Sequence, residues 1–289
     1  MKSTKKIISI NKLHAFENHP YKVQDNEEME SLAESIKEHG IVSPVIVRLL
    51  ENTTDEYEII SGHRRVMASR KAGITEIPAL IVPLDRDAAA IVLVDSNLHR
   101  EHILPSEKAF AYKMKADAMA HQGWRSDLTS GQLVPKSDDN RTTAQIGADI
   151  GDSYKTVQRY IRLTNLIPEI LKYVDEGRIS FTPAVELSYL NEQEQHDLLE
   201  QIEQSDCTPS LSQACRFKKI SQGEGLTPEV IAEIMEEEKA NQREMFKVPM
   251  ERIRKFVPNA NAKQAEDFVL KACEHYRKFL IRQRNRDER

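Results

Sequence analysis

The sequence predicts an α+β domain over residues 1–104, an all-α helix-turn-helix domain over 105–222, and a smaller, mainly helical domain over 226–289. Three observations predict it. β-branched runs alternate with amphipathic helices in the first hundred residues. Strand patterns nearly vanish after Pro105. A breaker cluster, Gly223, Gly225 and Pro228, precedes the last third. A length of 289 residues accommodates two or three domains.

Along the first part, Ile7 to Ile10 reads as a short strand. Residues 27–39 place Met29, Leu32, Ala33 and Ile36 on one helical face, and Gly40 ends that helix. Pro44 to Leu50 and Tyr57 to Ile60 are β-branched strands flanking the polar turn Glu51 to Glu56. Gly62 breaks the second strand before a helix from Arg64 to Ala72, which Gly73 closes. Ile77 to Val82 is a third strand, and residues 87–98 a helix. From 105 to 121 the residues are strong helix formers. Gln122 to Arg141, with Gly123, Gly131 and Pro135, reads as a mobile loop. Short helices follow, punctuated by Gly151, Pro168, Gly177, Pro183 and Pro209, and Thr227-Pro228 marks a helix start.

Composition excludes several classes. No run of eighteen apolar residues exists, so no membrane span or membrane partner is expected. The basic N-terminus lacks the apolar stretch of a signal peptide. Cys207, Cys215 and Cys273 form neither a disulfide framework nor a zinc pattern, which points to the reducing cytoplasm. The net charge of −5 hides an asymmetry. Residues 181–240 carry 4 Lys/Arg against 13 Asp/Glu, whereas residues 241–289 carry 13 against 7. Screening confines surface fields to about 8–10 Å, so local charge governs phosphate contact.

The sharpest local pattern is residues 143–162. A helix-turn-helix needs a small residue where its helices cross, a glycine in the turn and apolar residues that lock the pair. Gly147 sits at the crossing, Gly151 supplies the turn, and Ile146 and Ile150 face inward. Ser153 is an N-cap, and Val157, Tyr160 and Ile161 anchor the second helix. That helix then presents Ser153, Tyr154, Lys155, Thr156, Gln158, Arg159 and Arg162 as DNA-contacting residues. No acid interrupts them, as reading a major groove requires. A helical hairpin with a solvated basic face has the same pattern and stays open as an alternative.

Three further motifs stand ahead of it in order. They are Gly40-Ile41-Val42-Ser43-Pro44 leading into a strand, Ser61-Gly62-His63-Arg64-Arg65, and Ser96-Asn97-Leu98-His99-Arg100-Glu101 followed by Leu104-Pro105-Ser106-Glu107. Over roughly residues 15–190 the chain resembles the ParB/Noc partition and nucleoid-occlusion family, which has GxxQP, GERR and ENxxRE at these places. The resemblance implies an N-terminal domain that binds CTP and Mg2+. Ser43, Pro44, Gly62, His63, Arg64, Arg65, Asn97 and Arg100 would be its nucleotide-binding residues, and Asn97 a metal ligand. Gly62 allows close backbone approach, a helix N-terminus attracts anions, and arginines pair with phosphates. Without the other motifs, a basic helix surface stays open as the alternative reading of Arg64-Arg65. No Walker A sequence is present, so a P-loop ATPase is not expected.

The departures carry information. His63 and Ser96 stand where the family has glutamates, and Ser43 replaces its glutamine. Losing two hard carboxylates weakens a magnesium site and argues against efficient CTP hydrolysis, unless Asp95 or Glu101 compensates. The family's NPxQPR segment survives only as Asn18-His19-Pro20-Tyr21.

In the last third, Ala265, Phe268, Val269, Ala272, Tyr276, Phe279 and Leu280 form an apolar helical stripe. Pairing with a second chain, as the family does, and packing within the monomer are both open. Arg277, Lys278, Arg282, Arg284, Arg286 and Arg289 make a basic tail suited to sequence-independent DNA affinity. The expected function is therefore partition of a chromosome, plasmid or mobile element. A homodimer would bind a palindromic double-stranded DNA site, close around DNA with nucleotide, and engage a ParA-type ATPase through residues 1–11. A transcriptional regulator of the same fold is the alternative. A nuclease or serine kinase on this scaffold is disfavoured by the intact helix-turn-helix and by His63 and Ser96.

Overall fold

The computed structural model describes residues 3–98, 100, 102–130, 139–223, 225–237, 248–258 and 261–287. The chain divides into two units, residues 1–237 and 238–289.

The first unit opens with β1 (Thr4–Ser9), a 3-10 turn at Ile10–Lys12 and β2 (Leu13–His14). Then come α1 (Glu27–His39), β3 (Val45–Leu49), β4 (Tyr57–Ser61), α2 (His63–Lys71), β5 (Glu76–Ile81) and α3 (Arg86–Asn97). The five strands form one mixed sheet in the order β1-β5-β3-β4-β2. β3 pairs antiparallel with β4 and parallel with β5. β1 begins three residues before the expected strand because the whole of β5 offers it a partner, from Thr4 opposite Ile81 to Ser9 opposite Glu76. Lys5 and Lys6 thereby lie on a sheet edge, where charge discourages further pairing. The two-residue β2 has no sequence signature; its parallel pairing with Tyr57 and Glu58 of β4 forms it. α1 matches its expected span, with Asn26 accepting the Met29 amide at 3.2 Å and Gly40 closing it at φ +70°.

The helical part comprises α4 (Pro105–Ser130), α5 (Asp139–Ile150), α6 (Tyr154–Leu163), α7 (Pro168–Asp175) and α8 (Phe181–Leu187). It continues with α9 (Glu192–Ser205), α10 (Leu211–Ser221) and α11 (Pro228–Glu236). The expected loop over 122–141 is corrected at both ends. α4 runs to Ser130 and α5 starts at Asp139, while residues 131–138 lie outside the described residues. A single glycine costs a helix only about 1 kcal/mol, so Gly123 does not end α4.

Two cores explain why residues 1–237 form one unit. Ile60 of β4, Ala89 and Leu93 of α3, Tyr112 of α4, Ile146 of α5 and Val157 of α6 belong to one buried cluster. It spans the expected division at 104/105. The second cluster joins α7 to α11, with Ile231, Ile234 and Met235 of α11 packed with Leu198, Ile202 and Phe217. α11 thus belongs to the first unit, and the division falls at Glu237 instead of near residue 224.

The second unit contains α12 (Met250–Arg254) and α13 (Ala262–Asp287). Asn261 and Gln264 exchange hydrogen bonds of 2.9 and 3.0 Å, a reciprocal cap that starts α13. On its stripe Ala265 is buried, but Phe268, Tyr276, Phe279 and Leu280 are exposed.

Candidate functional site

Two places in the first unit hold the expected residues: a cleft beside the sheet and the exposed end of α6.

The cleft forms where β4 turns into α2. Gly62 links them at φ +107°. A Cβ there would stand 2.8 Å from Val45 Cγ1 and 3.0 Å from Arg65 Nη2, so only glycine fits. The cleft is lined by Ser61 to Arg65, by His19 and Tyr21 to Val23, and by Asn97 and Arg100 at the end of α3. Six of the eight expected nucleotide-binding residues therefore converge. Ser43 and Pro44 do not line it. Their carbonyls accept hydrogen bonds from Arg65 Nη1, 3.0 Å to Pro44 O, and so fix the arginine. Asn97 is buried, its amide donating to Leu93 O at 2.7 Å and Ser96 Oγ at 3.2 Å. The Arg100 guanidinium lies 5.6 Å from the Tyr21 ring centroid.

Sequence reasoning missed His19, Tyr21, Lys22 and Val23 as lining residues. The degenerate segment at Asn18-His19-Pro20-Tyr21 was the available signal, with Lys22 next in the chain. The His19 and His63 rings lie 3.9 Å apart, tilted by 49°. His63 Nε2 accepts the Phe16 amide at 3.5 Å, and His19 Nδ1 meets Tyr21 O at 2.7 Å. Burial, then His19, then Arg100 pull the His63 pKa down to about 3, so its ring is neutral at physiological pH.

A second, wider cleft continues from the first, sharing Lys22, Arg64 and Arg100. Its carboxylates are engaged. Glu28 pairs with Arg64 at 2.9 Å, and Glu107 accepts the amides of Lys22 at 2.8 Å and Leu104 at 3.2 Å.

Lys22, Arg64, Arg65 and Arg100 with the Gly62 turn fit a polyphosphate. They do not fit Mg2+, which is held in proteins by one or two carboxylates beside phosphates and water. Among the described residues the first cleft has no carboxylate. Asp95, one expected substitute, instead pairs at 2.7 Å with Lys115, a buried lysine that also holds Asp149 at 2.8 Å. Glu101, the other, and His99 lie outside the described residues.

The helix-turn-helix forms as the spacing predicts. Ile146 and Val157 are fully buried and Gly151 turns at φ +83°. A Cβ on Gly147 would stand 2.4 Å from Asp152 O, so the crossing tolerates no side chain. Asp152 is fastened to α4: Tyr112 Oη donates to its Oδ2 at 2.6 Å and Lys108 Nζ lies 2.8 Å from the same oxygen. Ser153 caps α6, accepting the Thr156 amide at 3.1 Å, and the two hydroxyls lie 2.8 Å apart.

Of the seven expected DNA-contacting residues, Ser153 and Thr156 thus form the cap, and the other five separate into two groups. Tyr154 and Lys155 are exposed at the first turn of α6, and Gln158 is half-buried one turn on. Arg159 and Arg162 turn away from that end. Arg159 donates to Thr182 Oγ1 at 3.1 Å and lies 5.0 Å from the Phe181 ring centroid. The Arg162 guanidinium lies 3.8 Å from the Tyr189 ring centroid, and its buried Nε has no hydrogen-bond partner. Both arginines brace α6 against α8 and the residues after it.

Among the described residues no helix is long and apolar enough to cross a membrane. Comparison with known proteins gives two family matches: the ParB N-terminal domain over residues 1–98 and the ParB HTH domain over 137–211. The "probable chromosome 1-partitioning protein ParB" of Deinococcus radiodurans is 34% identical over 166 residues, covering 57% of this chain and 49% of that protein. The nucleoid occlusion protein of Listeria innocua is 30% identical over 199 residues, covering 68% of this chain and 62% of that protein. The C-terminally truncated ParB of Caulobacter crescentus, solved in complex with the centromeric parS site, aligns with a TM-score of 0.42 at 22% identity, over 74% of this chain and 98% of that one. The chain thus spans about half to three-fifths of the length of the two curated relatives. Two domain matches that together cover more than half of the sequence, in the family's order, place this chain in the ParB/Noc family.

Proposed function

We propose that this protein is a partition-type DNA-binding protein of a chromosome, plasmid or mobile element, acting in the cytoplasm on nucleoid or plasmid DNA. A single observation carries the reading. Ser153 caps α6 so that Tyr154 and Lys155 project from the first turn of a rigidly braced second helix. Recognition helices enter the major groove by that end. A homodimer joined through the exposed stripe of α13 presents two such helices, and its target is a palindromic double-stranded site. The cationic cleft binds a nucleoside triphosphate, CTP by family membership, which promotes closure of the dimer around DNA. A ParA-type ATPase engages the first eleven residues.

Genome-wide footprinting of the tagged full chain tests this. Enrichment centred on a palindrome and spreading over kilobases supports it. A sharp peak at promoters replaces partition with transcriptional regulation, and no enrichment at any site removes the DNA reading.

A further inference from the structure

We infer that the cleft binds its polyphosphate without a divalent cation, the protein's own cations standing where a metal would. This rests on the nucleotide-binding reading above.

The donor set is the first ground. The lining of the first cleft offers Lys22, Arg64, Arg65 and Arg100, two imidazoles and no carboxylate among the described residues. Magnesium is a hard ion that sheds water reluctantly and takes anionic oxygen ligands. The neutral oxygens of Ser61 and Asn97 are poor replacements. Imidazoles suit softer transition metals, not magnesium.

The second ground is that every nearby described carboxylate already has a cation or amide donors. Asp95 is held by Lys115 at 2.7 Å, Glu28 by Arg64 at 2.9 Å, and Glu107 by the amides of Lys22 and Leu104. Recruiting any of them breaks a contact between elements of the fold. Ser96 is turned away as well, its hydroxyl donating to Leu93 O at 2.9 Å.

The third ground is the sign of the local field. The His63 ring lies 3.9 Å from that of His19 and shares the cleft lining with Tyr21 and Lys22 from the 18–23 segment, Arg64 and Arg65 from its own helix, and Arg100 beyond α3. Burial first, and then His19 and Arg100, resist a proton on His63. A divalent cation meets the same desolvation and repulsion at twice the charge, whereas phosphate oxygens are attracted by Lys22, Arg64, Arg65 and Arg100.

Titration calorimetry of the full chain with CTP, in magnesium and then in EDTA, is the test. Inorganic triphosphate serves as a probe of the phosphate contacts alone. The expected dissociation constants agree within about threefold between the two conditions. Arg65→Gln and Arg100→Gln weaken CTP and triphosphate about equally. Metal analysis of the gel-filtered complex finds nucleotide but substoichiometric magnesium. A tenfold or larger loss of CTP affinity in EDTA overturns the inference and leaves nucleotide binding standing. A tenfold loss in Glu101→Gln, seen only with magnesium, overturns it too, because that carboxylate would then hold a metal. No CTP binding in either condition overturns the nucleotide reading and the inference with it. The double variant His63→Glu with Ser96→Glu is expected to make binding magnesium-dependent.

Discussion

The guanidinium of Arg162 sits 3.8 Å from the centroid of the Tyr189 ring, and Lys218 Nζ lies 3.5 Å from the same centroid. Lys218 is in turn tied to Glu186 at 2.8 Å. One tyrosine thus gathers cations from α6 and α10, and the second helix of the helix-turn-helix is oriented by the helices that follow it. Arg162→Ala is expected to destabilise the fold by about 1–2 kcal/mol, the scale of a desolvated cation–π contact. Urea unfolding of Arg162→Ala, Tyr189→Ala and the double variant measures it. Additive losses would show that the two side chains do not act on each other.

Lys155 is expected to behave in the opposite way. It is exposed, so Lys155→Ala leaves urea stability within about 0.5 kcal/mol of the parent. DNA affinity falls, and the slope of log affinity against log salt flattens by about 1, the signature of one lost phosphate contact. Fluorescence anisotropy with a labelled duplex at several salt concentrations reads both. An unchanged affinity and slope would remove Lys155 from the interface.

Gly147→Ala is expected to damage the helix-turn-helix. Its Cβ meets Asp152 O at 2.4 Å, and Asp152 cannot retreat without loosening Tyr112 and Lys108. A cost of about 1–3 kcal/mol is expected, typical of overpacking, with loss of DNA binding. Gly223→Ala, where the nearest atom is 3.6 Å away, serves as the control. Circular-dichroism melts compare the two.

His63 gives the cleft a pH signature. Its folded pKa, about 3, lies below the ordinary value of 6.5. Between those values the unfolded chain binds the proton and the folded chain does not. Stability is therefore complete above about pH 6.5 and falls as the pH drops toward 3, by at most about 1.4 kcal/mol per pH unit from this group. His63→Gln is expected to lose this part of the slope in urea titrations between pH 6.5 and 4.5. Other groups titrating in the window remain in both proteins, so the difference between them isolates His63. Parallel curves would mean that His63 titrates normally.

The stripe on α13 is expected to hold a dimer. Phe268 and Phe279 are exposed in the single chain, and Phe279→Glu places a charge in the proposed interface. Sedimentation equilibrium is expected to give a dimer for the parent and a monomer for the variant. Truncation after Tyr276 also removes the basic tail and is expected to flatten the salt dependence of nonspecific DNA binding. A parent that is monomeric at all concentrations would return the stripe to a role within one chain.

What the sequence by itself determined is local. Gly62, Gly147 and Gly151 announce tight backbone geometry, Ser153 a cap, and Ile146 and Val157 a buried seam, because residue type and local spacing carry each of these signals. Those positions stand where the spacing put them. What only the tertiary structure decided depends on partners far away in sequence. β1 takes its register from β5, and β2 exists only against β4. His19 and Lys22 enter the cleft because the 18–23 segment folds beside Gly62 and Arg100. Arg159 and Arg162, indistinguishable from Lys155 in a helical projection, point at Phe181 and Tyr189 because α8 packs along that side of α6. Asp95 likewise reads as a free carboxylate until Lys115 arrives from α4. Local backbone preference can be read residue by residue, whereas a charge takes its meaning from what folds against it.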